Sequence, residues 1–276
     1  LYPKTTGHII FSSEGWGTQT ATNSDYGLSN NTQYISVLGG PHTASGGMVG
    51  KELTETFDNS MIYDTSKRRA GSFEWNPLSG STIEFWMKKS AFLGSSLTDK
   101  EVVLDIWNGE DTTADQYGRI RLELNGKTGT GPIRLTMISG SNGFSNLDIC
   151  PSTLNTTAVA DGKWHHYAVS IENIGSNAVI NLYRDGTYLK TTLNGNPIES
   201  IENVAGGVNA YIGALQTTVK GTSTAAGYGK LSASLDEFRY WKKKRTTNEI
   251  GEFWFTAMGG GTNKREYNTD LGVYFK

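Results

Sequence analysis

The 276 residues contain a single cysteine, Cys150. One thiol excludes an intramolecular disulfide framework, so stability has to come from a packed core, from neighbours or from bound ions. Cys150 itself reads as a small buried hydrophobe. An excess of one charge is lacking too: charged residues are 19% of the chain and the formal net charge is −2. No global field of that size steers a protein toward nucleic acid or an anionic membrane. No run of 18 apolar residues occurs, and the first residues show neither a charged n-region nor an apolar h-region, which predicts neither a membrane span nor a signal peptide in this sequence. A nucleophile elbow, a P-loop and a zinc motif are all missing. So are the paired acids of a retaining glucanase, which would sit at alternate positions of one strand about 5 to 5.5 Å apart. Glu101, Asp105 and Glu110 come nearest, and their gaps of four and five break that pattern. The sequence therefore predicts no enzyme. An initiator Met is also absent: running from Leu1 to Lys276, the chain reads as an excised or processed piece of a longer polypeptide.

What is abundant is glycine, at 34 residues, with Ser, Thr and Asn between short apolar runs. Many short strands joined by tight turns follow from that, as in a sandwich or jelly roll. The clearest stretch is 161 to 193. Trp164 to Ile171 sets Tyr167, Val169 and Ile171 against Trp164, His166 and Ser170, the period of a strand. Ala178 to Arg184 repeats the pattern, and Asp185-Gly186 supplies the positive-φ pair of a two-residue hairpin before Thr187 to Leu193 returns. Thr82 to Lys89 points Ile83, Phe85 and Met87 inward and Glu84, Trp86 and Lys88 outward. Further strands are predicted at 72–75, 101–107, 119–124, 133–139, 144–149, 210–215, 229–242 and 271–275. One helix is predicted, from Thr246 to about Thr256, because Thr246 and Glu249 make a capping box ahead of Ile250, Phe253 and Trp254.

The expected division is an N-terminal arm or edge extension over 1–55, a main domain over 56–258, and a Gly-rich exit with a terminal strand over 259–276. Within the arm, His8 to Phe11 and Tyr34 to Leu38 have strand character. The arm itself stays open between a linker, an added edge hairpin and a segment docking on a neighbouring chain.

Four pieces in order, STIEFWMKK (81–89), DGKWHHYAVSI (161–171), NLYRDGTYL (181–189) and GKLSASLDEFRYWKKKRTTNEI (229–250), resemble the laminin-G-like branch of the concanavalin A-like jelly rolls over roughly 60 to 258. EFWMKKSAF, EVVLDIWNG, DEFRYWKKKRT and the closing GGGTN…LGVYFK also look like modules in structural proteins of tailed phages, marine ones especially. The resemblance implies an all-β fold of two facing antiparallel sheets with about 14 strands, to which the capping box adds the one short C-terminal helix. It also implies ligands at the rim or on the concave face, often beside calcium.

Candidate sites are few. In WNGEDTTADQYG (107–118), Glu110, Asp111 and Asp115 offer the hard oxygens that calcium takes, and Trp107, Asn108 and Tyr117 offer aromatic and amide surface for a sugar ring. Its spacing is not that of an EF-hand, and the plain reading is a solvated polar loop. The tandem His165-His166 invites a metal reading, but strand neighbours point to opposite faces, which favours packing. Asp236 and Arg239 read as a buried pair at a sheet end, and Lys242 to Arg245 as a solvated rim or a contact with an acidic neighbour.

Together these features predict a non-catalytic structural module of a tailed-phage virion, serving adhesion, decoration or assembly, with cell-surface glycan, other virion proteins or further copies of itself as partners. The alternative is a lectin-like carbohydrate-binding module, calcium-dependent or not, of a secreted or cell-surface bacterial protein. Neither predicts contact with nucleic acid.

Overall fold

The computed structural model describes residues 8–11, 35–39, 73, 75, 77, 79–92, 101–111, 117–126, 129–198, 208–215, 229–258 and 271–275. Alternation of apolar and polar residues turns these segments into two antiparallel sheets. One has six strands in the order β10 (Thr187–Asn194), β9 (Asn177–Arg184), β8 (Trp164–Ile174), β3 (Ser81–Lys88), β12 (Ser234–Trp241), β13 (Leu271–Phe275). The other has seven, in the order β1 (His8–Phe11), β2 (Ile35–Gly39), β11 (Val208–Ile212), β4 (Glu101–Trp107), β5 (Gly118–Leu124), β6 (Ile133–Ser139), β7 (Asn142–Asp148). Their inward residues form one core. Ile83, Phe85 and Met87 of β3 and Tyr167, Val169 and Ile171 of β8 meet Leu104 and Ile106 of β4, Ile120 and Leu122 of β5, and Leu135 and Met137 of β6. At about 25 cal/mol per Å² of apolar surface, this burial is the main source of stability in a chain without disulfides.

The β9–β10 hairpin closes as its sequence predicts. Asp185 and Gly186 take φ of 50° and 73°, and Thr187 pairs with Arg184. In the N-terminal arm, β1 and β2 pair with each other and β2 pairs with β11, so these two strands form an edge of the seven-stranded sheet. The rest of residues 1–55 lies outside the described residues, as does most of 259–276. β13 pairs with β12 and completes one edge of the six-stranded sheet.

Two expectations need correction. Of the strand expected at 72–75 only Phe73 and Trp75 are described, and neither is in a strand: both are buried core side chains, in a turn and an irregular segment. Their bulk fills the core without ladder partners. A second helix also exists, the single turn α1 (Thr156–Val159), where the Asn155 side chain accepts from the Ala158 amide. The predicted helix is α2 (Thr247–Phe253), with its capping box formed: Thr246 Oγ1 accepts from the Glu249 amide while the Glu249 carboxylate accepts from the Thr246 amide.

Between α2 and the core lies the outer face of the six-stranded sheet. Glu84 of β3 points outward as predicted, with Thr82 on the same face, yet both are fully buried, because the segment after β12 folds back over them. Outward, on this sheet, does not mean exposed.

Candidate functional site

The rim loop begins where β4 ends and returns into β5. Trp107 and Tyr117 stand at its base and are only 3% and 5% exposed. Arg119 explains why. Register places Arg119 opposite Trp107, and its guanidinium lies 4.6 Å from the centre of that ring while reaching the Tyr117 hydroxyl at 3.4 Å. The indole Nε1 donates to the Glu110 carbonyl at 3.0 Å. Asn108 is 5% exposed and its Oδ1 accepts from the Glu110 and Gly118 amides, at 3.2 and 3.1 Å. These three residues fasten the loop, and neither ring turns a face to solvent. Residues 112–116 lie outside the described residues, Asp115 among them.

Calcium takes six to eight oxygens. Of the three acids predicted for it, Glu110 is half-buried and Asp111 exposed, side by side in the chain. Among the described residues no group of three His, Cys, Asp or Glu converges on one point. Glu110 and Asp111 by themselves supply fewer oxygens than a calcium site takes.

Two of the three acids that came nearest to a catalytic pair, Glu101 and Asp105, are matched to cations. Glu101 Oε2 lies 2.5 Å from Lys89 Nζ and also accepts from the Ser232 amide. Burial lowers the Lys89 pKa from its ordinary value, against the opposing pull of Glu101. Asp105 receives a bidentate pair from Arg119, Nε to Oδ1 at 2.7 Å and Nη2 to Oδ2 at 2.5 Å. Burial would lower the Arg119 pKa, but the Asp105 carboxylate outweighs it and raises it instead. Arg119 was not singled out from the sequence. The signal was there in RIRLEL, whose outward Arg119 falls across from the Asp105–Trp107 end of EVVLDIW once β4 and β5 are paired.

On the other sheet, Glu84 Oε1 accepts from Arg245 Nη1 at 2.7 Å, and Oε2 lies 3.4 Å from Arg239 Nη1 and 3.7 Å from His166 Nε2. Burial alone would raise the Glu84 carboxyl, but Arg245, with His166 and Arg239, holds it far below the usual carboxylate range. Arg245 is fully buried with its guanidinium 4.4 Å from the Trp241 ring centre, so the Lys242 to Arg245 run is no solvated rim at its last residue. Lys244 pairs with Glu172, and Lys243 lies 3.3 Å from Glu249.

The partner of Arg239 is also not the predicted one. Glu237 takes φ of 50° in a bulge of β12, and its carboxylate, not that of Asp236, receives Arg239 Nη2 at 2.8 Å and the Tyr274 hydroxyl at 2.8 Å. Asp236 is left exposed, accepting the Glu237 amide. The tandem histidines diverge as expected. His165 sits between Asp185 and Asp161, at 2.7 and 3.0 Å, while His166 is buried on the outer face against Trp86 and Trp254.

No curated protein matches the chain. Among solved structures it is similar to a heptameric SAP-like pentraxin from Limulus polyphemus, with 15% identity, TM-score 0.42, and 64% of this chain covering 70% of that one. It is also similar to the CBM40 of the Ruminococcus gnavus IT-sialidase bound to α2,3 sialyllactose, with 16% identity, TM-score 0.41, and 64% of this chain covering 83% of that one. A third is the NanB sialidase of Streptococcus pneumoniae, with 15% identity and TM-score 0.40, where 64% of this chain covers 24% of that one. The family model of the concanavalin A-like lectin/glucanases superfamily, in its laminin-G form, matches residues 64–251. That span takes in both sheets' central strands, the start of the capped helix and all four motifs read from the sequence, and the chain belongs to this superfamily.

Proposed function

We propose that the chain is a non-catalytic glycan-binding module carried on the surface of a tailed-phage particle. Membership of a superfamily that includes lectins and glucanases supports a reading in terms of binding a sugar or cutting one. The observation that selects binding is the state of the acids. Among the described residues the buried carboxylates are Glu84, Glu101, Asp105 and Glu123, and each lies against a cation: Arg245, Lys89, Arg119 and Arg121. Glycoside cleavage needs an acid with a raised pKa beside a second free carboxylate. Glu84 is shifted the opposite way.

The loop based on Trp107, Asn108 and Tyr117 is the rim at which we place sugar, these three buried side chains fastening it between β4 and β5. Glu110, Asp111 and Asp115 are the side chains that would hold calcium there. The phage setting rests on the motif order of EFWMKKSAF, EVVLDIWNG and DEFRYWKKKRT. A printed glycan array, read with and without EDTA, tests the binding. Specific signals are expected, and their loss with EDTA assigns the calcium. Silence on every glycan, with tight self-association of the chain, overturns the reading in favour of a purely structural role. Antibody labelling of particles tests the setting, and a chain found away from virions removes it.

A further inference from the structure

The outer face of the six-stranded sheet carries a second surface at the end where β3 finishes and β8 and β12 begin. Lys88 of β3 pairs with Trp164 of β8 on one side and Ser234 of β12 on the other; two residues back on the same face, Trp86 pairs with His166 and Asp236. Two rows result, Ser234–Lys88–Trp164 and Asp236–Trp86–His166. Diagonal neighbours on such a face lie about 7 to 8 Å apart, within reach of one another's side chains. Lys88, Ser234 and Asp236 are exposed, Trp86 is half-buried, and Trp164 is 42% exposed.

The chain leaving α2 completes the surface. Trp254 lies 5.3 Å from Trp86, ring centre to ring centre and 32° from parallel, and Phe255, 64% exposed, meets Trp254 edge-on at 5.7 Å. Trp254 is wedged against the β9–β10 turn so tightly that a Cβ on Gly186 would stand 2.2 Å from its ring. His166, buried beneath, packs on both indoles. The aromatic floor is thus held in place before any ligand arrives.

We infer that this surface is a binding platform for a neutral hexopyranose unit of a glycan, distinct from the 107–118 rim. This rests on the glycan-binding reading above and adds a site and a sugar class to it. A pyranose ring has an apolar C–H face and an edge of hydroxyls. The platform offers the matching pair, indole faces at Trp86, Trp164 and Trp254 with Asp236 as acceptor, Lys88 as donor and Ser234 as either. Asp236 spends one oxygen on the Glu237 amide, which leaves the other for a hydroxyl. One cation and one carboxylate balance each other, which favours a neutral sugar over a sialic or uronic acid. A second copy of the chain would instead favour a continuous apolar patch, and here the rings are interleaved with charge.

Calorimetric titration with cellohexaose, laminarihexaose, maltohexaose and β1,4-galactotetraose tests this. At least one is expected to bind, roughly tenfold more weakly to Trp164→Ala and to Asp236→Asn. Trp164→Phe is expected to recover most of the Trp164→Ala loss, and Leu193→Ser, on distant β10, to bind as the parent does. Both key variants keep the fold: Trp164 is exposed, and Asn at 236 still accepts the Glu237 amide. Thermal melts verify it. Unchanged binding by Trp164→Ala and Asp236→Asn, with loss in Glu110→Gln/Asp111→Asn, overturns the platform and leaves the rim reading standing. Silence of the parent chain with all four sugars also overturns the platform, whatever the wider array shows.

Discussion

Arg245 Nη1 lies 2.7 Å from Glu84 Oε1 across 161 residues of sequence, with both side chains at 0% exposure. This pair ties the segment before α2 to the middle of β3. Removing one partner leaves an uncompensated buried charge, which costs about 3 to 5 kcal/mol. Glu84→Ala is therefore expected to lower the urea unfolding free energy by about that amount. The double change Glu84→Leu/Arg245→Met is expected to cost less than the two single changes added together. A Glu84→Ala loss under about 1 kcal/mol contradicts the pairing.

Acid should unfold the chain through the same group. The folded Glu84 titrates far below its ordinary value of 4.5, to which it returns on unfolding. The unfolded state thus takes up the proton first, and the stability it contributes is full above pH 4.5 and lost as pH falls below it. Glu249 and Asp161 are displaced in the same direction. Urea midpoints are expected to stay level from about pH 8 to about pH 5.5 and drop below about pH 4.5, with a shallower drop in Glu84→Gln. A midpoint that rises on acidification contradicts this.

Gly186 is a position where a methyl group should do harm through Trp254. Its φ is 73°, which disfavours any Cβ, and the Trp254 ring occupies the space. Gly186→Ala is expected to cost about 1 to 3 kcal/mol, and to shift the near-ultraviolet circular dichroism as Trp254 moves. Gly175 also has positive φ, 60°, but meets nothing within 4 Å, so Gly175→Ala is the milder control. Equal losses at the two glycines would count against the wedge.

Cys150 should be inert. Its Sγ accepts from the Ile133 amide at 3.3 Å and donates back to the Ile133 carbonyl at 3.6 Å, and burial pushes the thiol up to about 12. Iodoacetamide at pH 8 is expected to leave the native chain unlabelled and to label it fully in urea. Fast native labelling would place Cys150 outside the core.

The alternation of β3, β8 and β9 was legible because a period of two fixes which side chains face inward, and Asp185-Gly186 named its own turn. What covers the outward side was not. Glu84 looks like a surface acid until Arg245 and α2 fold over it, and that contact is too distant in sequence to be read from local pattern. The Arg239 partner was missed by one residue because the β12 bulge gives Glu237 positive φ and changes which acid reaches the guanidinium. Trp107 and Tyr117 read as sugar-stacking rings because their burial depends on Arg119, a cross-strand neighbour that only the register reveals. The rows around Trp86 were invisible for the same reason: each member is unremarkable in its own strand, and the surface exists only across three.

The account's central claim, that the chain holds glycans without cutting them, is tested most directly by passing a soluble mixed-oligosaccharide library over the immobilised chain and weighing the captured sugars by mass spectrometry. The account predicts a small set of oligosaccharides enriched and recovered intact after prolonged contact. No enrichment, or shortened products whose formation stops on changing Glu101 or Glu110, would contradict it.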